Sequence, residues 1–269
     1  MRLLILSLPI RLQPIFIIGI TIALAFLVAF ICSLFFDSHQ LAANTDLTSS
    51  VYQVLGTIYA IMLTFTLWGV WQNFTDAGKS VQDEAFALLD LVHTLESSPS
   101  LDHADIRGAV LNYLKLVVEQ EWPTLQSFTS NLVQSHEKSR SVSYQVVTVI
   151  QDITPHEPRD VAIFGQTITM LNKWLDSRRA RILTAKGNSV KALWPLLMGG
   201  ALVLFGFHGL FIAKTIGIWV ALLFGLSLVI GLTFYLIFSL DCPFAGTLSI
   251  DSEPFELAIN ILKNKDEGI

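Results

Sequence analysis

Catalysis and metal binding need particular side chains at particular spacings, and this chain offers few of them. Its six histidines (His39, His93, His103, His136, His156 and His208) fall in different segments, and no two have the His-x3-His spacing of a helical metal site. Cys32 and Cys242 lie far apart with no CxxC pattern, so neither a zinc ribbon nor a dithiol redox centre is indicated. GxGxxG, GxxxxGK[ST], HExxH and GxSxG are all missing. The expectation is a protein that is not an enzyme and takes no cofactor.

The chemistry that remains is the handling of ions without bond making. Val51 to Phe74 (VYQVLGTIYAIMLTFTLWGVWQNF) carries no charge, yet amides, hydroxyls and glycines are spread through it. Gln53, Thr57, Ala60, Thr64 and Trp68 recur at three- and four-residue steps and share one helical face, with Gly56, Tyr59, Leu63, Thr66 and Asn73 as a neighbouring stripe. A hydroxyl or amide facing lipid has no water to bond, so such a face must turn towards protein or a water-filled path. Two readings stand: hydrogen bonding between helices of a bundle, or a pore lined by Gln53, Thr57, Ala60, Ile61, Thr64 and Trp68. His208 is ionisable within an apolar run, so it is either a functional candidate or a neutral histidine bonded between helices.

The segments that hold these residues have a membrane composition. The chain has 269 residues, 52% hydrophobic and 14% charged, against about 25% charged in soluble domains. A net charge of −5 excludes the basic face of a nucleic-acid binder. Ile15 to Phe36 is uncharged and long enough, at about 1.5 Å per residue, to cross about 30 Å of hydrocarbon. It follows Arg2 and Arg11 but is too long for a signal-peptide core, and reads as a retained first span. Val51 to Phe74 is the second span, Lys191 to Ala213 the third and Ile216 to Leu240 the fourth, the last two joined by Lys214 and Thr215. Basic residues flanking the spans (Arg2, Arg11, Lys79, Arg178, Arg179, Arg181, Lys186, Lys191) fall on one side, with Lys214 on the other, which makes both termini cytoplasmic.

The middle segment has helical periodicity, as in Val81, Ala85, Leu88, Leu89, Val92 and Leu95, and the span-two helix is expected to continue into it. Further helices are predicted over Leu101 to Glu121, stopped by Pro123, then over Leu125 to Glu137, Ser141 to Gln151 and Pro158 to Thr184, with a loop at Asp152 to Pro158. Trp68, Trp71, Trp194 and Trp219 stand near span ends, where amphipathic rings prefer the interface. Gly199, Gly200, Gly206, Gly209, Gly225 and Gly231 would allow close packing between spans three and four, or between protomers. The expected architecture is an all-α integral membrane protein: residues 1–74 hold membrane helices one and two, 75–190 a cytoplasmic helical domain, 191–240 membrane helices three and four, and 241–269 a cytoplasmic tail.

A family pattern is also visible in the order of short motifs. The run LGTIYAIMLTFTLWGVWQNF is followed by Ala77, Val81 and Glu84-Ala85, then Arg107, Tyr113 and Glu121-Trp122-Pro123. Arg178-Arg179 and Arg181 precede the third span, and Leu240-Asp241-Cys242-Pro243-Phe244-Ala245-Gly246 follows the fourth. In order and spacing, from about Val51 to Phe255, these residues resemble the bestrophin-like domain family of mostly bacterial membrane proteins. Bestrophins are pentameric anion channels whose second span lines a hydrophobic neck. The resemblance therefore implies a homo-oligomeric ion channel in the lipid bilayer of a bacterial inner membrane, a pentamer if the count carries over, passing small inorganic ions.

In bestrophins an acidic segment after the fourth span holds calcium. The matching stretch here, DCPFAGTLSIDSEPFE, supplies Asp241, Asp251, Glu253 and Glu256, which are too dispersed for an ion that takes six to eight oxygens. No metal is expected, with Asp241, Asp251 and Glu253 the weak candidates. Thr57, Thr64 and Thr66 interrupt what would be an apolar neck, so the ion passed is left open. The main rival reading is a non-conducting membrane-anchored signalling or scaffold protein. A secondary transporter would call for intramembrane acids or paired broken helices, and neither is visible.

Overall fold

The computed structural model describes residues 8–9, 11–35, 45–98, 100–101, 104–127, 132–185, 190–211 and 215–264. Their regular structure is helical throughout: α1 (Leu12–Phe35), α2 (Thr45–Glu96), α3 (Ala104–Leu116), a π turn (Val117–Glu121), α4 (Trp122–Ser127), α5 (Leu132–Gln151), α6 (Pro158–Ala185), α7 (Trp194–Gly209), α8 (Ile216–Leu240) and α9 (Glu253–Asn264). By length and composition α1, Asp46–Glu96 within α2, and α8 can each cross a membrane, while α7 is a shorter apolar helix. The chain divides into two compact units, Met1–Asn73 with Asn188–Asp241, and Phe74–Gly187 with Cys242–Ile269.

In the first unit α1 packs on α7 and α8. Small residues bring the backbones together. A Cβ on Gly209 would overlap the Ala29 carbonyl group of α1, and one on Gly231 would lie 3.2 Å from Ile18 Cα. Gly209 and Gly231 therefore serve contacts with the first span, whereas the sequence pattern suggests contacts between the third and fourth or between protomers. Ala25, Ala29, Leu197, Ala201, Leu204, Leu223 and Ile230 fill the small interior. The third apolar segment is shorter than expected. Pro195 stands in the first turn of α7, after a turn over residues 190–193, and the helix closes at Gly209 with Leu210 N–H bonded to the Phe207 carbonyl. Ala213 and Lys214 lie outside the described residues.

The second unit gathers the C-terminal half of α2 with α3, α5, α6 and α9 around Val81, Leu88, Leu95, Ile106, Tyr113, Leu114, Ile150, Trp174 and Phe255. Pro123 does not stop its helix. Through the π turn each N–H reaches back five residues, as Trp122 N–H does to the Val117 carbonyl. This wider winding admits a proline without the clash it makes four residues back in α winding. The helices expected over Leu125 to Glu137 and Ser141 to Gln151 are instead the end of α4 and one helix, α5.

The segment read as a tail contains α9. Ser252 begins it, its carbonyl accepting from Phe255 and Glu256 N–H and its hydroxyl donating to Glu256 Oε1 at 2.7 Å. Phe255, Ala258 and Leu262, at helical steps, are buried in the unit. The turn before it uses Gly246 at φ 96°, a conformation open to glycine at no steric cost, and Ile250 N–H bonds the Pro243 carbonyl.

Candidate functional site

The apolar half of α2 presents two opposite faces. Tyr59, Thr66 and Val70 are buried against the rest of the first unit. The Tyr59 hydroxyl donates to the Leu197 carbonyl at 2.9 Å, and its ring fills the space a side chain on Gly200 would need, so that a Cβ there would come 2.5 Å from ring carbon Cδ2. Gln53, Thr57, Ala60, Ile61, Thr64 and Trp68 are all exposed on the far side. The structure therefore keeps the first stripe together and splits the second, burying Tyr59 and Thr66 and leaving Asn73 exposed.

The threonine hydroxyls of this helix are already engaged. Thr57 donates to the Gln53 carbonyl at 2.9 Å, Thr64 to Ala60 at 2.8 Å and Thr66 to Met62 at 2.9 Å. Each donor is satisfied four residues back within its own helix. Threonine alone thus does not force the face away from lipid. What presents outward is largely its methyl group, and the exposed Gln53 amide is left as the group that most needs water or protein.

His208 is buried between helices, its Nε2 3.3 Å from the Trp219 carbonyl, while Trp219 Nε1 donates to the His208 carbonyl at the same distance. Tyr52 and Phe211 rings lie beside it. That geometry suits a histidine holding α7 to α8. Of the acids after α8, Asp241 caps that helix, while Asp251 and Glu253 are exposed. Among the described residues no three His, Cys, Asp or Glu side chains gather as a metal site would require.

The second unit contains a buried ionic cluster. Arg181 of α6, fully buried, donates from Nε to Glu84 Oε2 at 2.6 Å, and from Nη2 to Glu84 Oε1 at 3.1 Å and Glu121 Oε2 at 2.8 Å. Glu84 comes from α2 and Glu121 from the π turn, and both are also fully buried. The Tyr113 hydroxyl of α3 donates to Glu84 Oε1, and Arg178 Nη2 stands 3.8 Å from Glu121 Oε1. The Arg181 guanidinium lies over the rings of Phe255 and Trp122, at 5.6 and 6.0 Å. Burial alone would lower the Arg181 pKa, but Glu84 and Glu121 hold it well above its ordinary value and the group stays charged. Burial and the Glu84 charge push the Tyr113 phenol well up, so it remains a donor.

Nothing in motif or spacing assigns this cluster a role. Two signals were available: Glu84, Tyr113, Glu121, Arg178 and Arg181 all belong to the family pattern, and Glu84 stands in the apolar register of Val81 and Leu88, where a charge is tolerated only with partners. The cluster ties α2, α3, the π turn and α6 together, with α9 covering it. It is a structural lock, with no open face at which a substrate would react.

Comparison with known proteins agrees with this architecture. A family model described as the bestrophin-like domain matches residues 19–255. Two crystal structures of a bacterial bestrophin homologue from Klebsiella pneumoniae, each with a point substitution, superpose at a TM-score of 0.66 and 15% identity. One covers 96% of this chain and 100% of its own, the other 94% and 98%. A crystallised membrane-protein variant gives a TM-score of 0.64 at 16% identity, covering 92% of this chain and 96% of its own. At such identities the likeness establishes the fold. None of the curated proteins matches the chain.

Proposed function

The chain belongs to the bestrophin-like domain family, and on that premise we propose that copies of it form a ring in a bacterial inner membrane and pass small ions along the axis between their α2 helices. The observation that carries this reading is the exposure of Gln53, Thr57, Ala60, Ile61, Thr64 and Trp68 on the face of α2 opposite Tyr59, Thr66 and Val70. A single copy leaves that face uncovered, and a helix pair or ring axis supplies the cover. Because the Thr57 and Thr64 hydroxyls are spent on the backbone, the constriction formed with Ile61 and Trp68 is effectively apolar, of the kind that gates by dewetting. Selection between ions then falls to other parts of the path.

In this reading α7 is a fourth span. Its 16 residues cover about 24 Å, short of about 30 Å, a deficit met by local thinning and by the flanking turns. Four spans put both termini, residues 75–190 and 241–269 in the cytoplasm, on the side of the basic residues. Native mass spectrometry of the nanodisc-embedded protein, followed by ion flux on the same sample, tests the proposal. A ring of about five copies with flux supports it. A monomer or two-fold dimer without flux contradicts it and favours a membrane anchor whose helices bind a partner, a reading that draws on the exposed Val161, Leu183 and Leu257 of the second unit.

A further inference from the structure

His208 is the only acid or base in α7 and α8, and the proposed path makes no use of it. It stands in the last turn of α7 and is tied twice to the first turn of α8. Its Nε2 lies 3.3 Å from the Trp219 carbonyl, and Trp219 Nε1 donates to the His208 carbonyl at 3.3 Å. A carbonyl only accepts, so in the neutral ring Nε2 carries the proton and Nδ1 the lone pair. The rings of Tyr52, Phe211 and Trp219 close round the imidazole at 6.4, 6.4 and 5.5 Å between centroids, and Tyr52 packs on Phe211 at 5.2 Å. Tyr52 belongs to α2, where it directly precedes Gln53 of the exposed stripe.

A second proton turns this packing against itself. Imidazole is the side chain whose charge changes between about pH 5 and about pH 8. Among the described residues nothing accepts from Nδ1 and no carboxylate bonds the ring. The titratable groups on the helices packed round it are Tyr52 of α2, with the exposed Asp46 six residues before it, and Cys32 of α1, which lies beside Gly206. Asp37, His39 and Lys214 of the connecting segments lie outside the described residues. Aromatic faces return part of the cost of a buried cation, but an uncompensated buried charge costs more than they give back. Charging therefore favours escape of the ring to water, which breaks its bond to the Trp219 carbonyl and unseats Tyr52. The hold is present while the imidazole is neutral and is lost as pH falls through its titration.

We propose that His208 and Trp219 form a latch that a proton opens, and that Tyr52 passes the change to the end of α2 that carries Gln53. The latch stands on the first unit alone. Its effect on ions rests on the ring reading above.

Tryptophan emission of the nanodisc-embedded protein, followed from about pH 7.5 to about pH 5, tests the latch. Subtracting the spectrum of Trp219→Phe from that of the natural chain isolates Trp219. Its emission is expected to shift reversibly to longer wavelength in acid as the indole loses its neighbour. His208→Gln, which keeps an N–H for the Trp219 carbonyl and has no proton to gain, is expected to lose that shift. No transition in the natural chain, or the same transition in His208→Gln, overturns the latch. A loss of intensity at unchanged wavelength means that the charged ring stays beside the indole, and overturns the opening. Because the Trp219 difference needs no histidine variant, it decides the matter even if His208→Gln fails to fold. Ion flux from liposomes holding the natural chain and His208→Gln, at the same pH values, tests the relay through Tyr52. A flux that changes with pH in the natural chain and stays level in His208→Gln supports it. A flux that is level in both, or follows pH equally in both, overturns it. No flux at any pH contradicts the ring reading, while the emission measurement still decides the latch.

Discussion

The two halves of α2 meet opposite physical demands. Residues 51–73 carry no charge, yet they leave Gln53, Thr57, Thr64 and Trp68 uncovered by their own chain. Residues 74–96 hold several acids, yet Glu84 is fully buried among Val81, Ala85 and Leu88. A charge can be buried there because Arg181 and Tyr113, far away in sequence, bring donors to it. The contrast teaches where each half's partners are: the charged half finds them within one chain, and the uncharged half needs water, lipid or another copy.

The sharpest way to break that contrast is to remove the cation. Arg181→Met leaves Glu84 and Glu121 buried without it and is expected to destabilise the second unit by about 3–5 kcal/mol. Denaturant unfolding followed by tryptophan fluorescence, with Trp122 and Trp174 buried beside the cluster, measures the loss. Adding Glu84→Leu and Glu121→Leu, with Tyr113→Phe to remove the hydroxyl that donates to Glu84, should recover most of it, since an apolar cluster of similar volume needs no cation. In the first unit Gly209→Ala sets a methyl against the α1 backbone at Ala29 and should cost about 1–3 kcal/mol in thermal unfolding.

Tyr59→Phe removes the hydrogen bond to the Leu197 carbonyl and should cost about 1 kcal/mol by the same assay. A smaller effect depends on pH. Ser98 and Ser100 donate to Asp160, at 2.6 and 2.7 Å, and hold its carboxyl below the usual range. Its stabilisation is therefore fully present above about pH 4 and is lost as pH falls towards the depressed folded value. The stability advantage of the natural chain over Asp160→Asn should hold near neutrality and shrink in acid, as a denaturation series from about pH 7 to about pH 3 would record. Smallest of all on stability is Trp68→Ala, expected within about 0.5 kcal/mol of the natural chain in detergent because the ring packs on little of its own copy.

Sequence patterning revealed the helical class, most of the extent of the apolar runs, and that Gln53, Thr57, Ala60, Thr64 and Trp68 share one face of a helix, since all three follow from composition and a 3.6-residue period. It missed α9, although Ser252, Pro254 and Glu256 form a helix start and Phe255, Ala258 and Leu262 a stripe, because a short segment after the last apolar run reads as a tail. Pro123 misled for a specific reason: the π turn that accommodates it has no sequence signature. The members of the ionic cluster stood in the family pattern, but their meeting was not legible, because Glu84, Glu121 and Arg181 come together only through tertiary contacts across 97 and 60 residues of chain. The threonine stripe was visible, but its hydroxyls' bonds to the backbone were not, and those bonds decide how polar the face is.

The most direct test of the central claim is the current through planar bilayers containing the Trp68→Cys protein in a background with Cys32 and Cys242 replaced by serine, recorded before and after a charged thiol reagent. An axial face predicts a measurable current that the reagent blocks or strongly reduces, with the background protein unaffected. A current indifferent to modification at position 68 would contradict the lining assignment, and no current from any variant would contradict the channel itself.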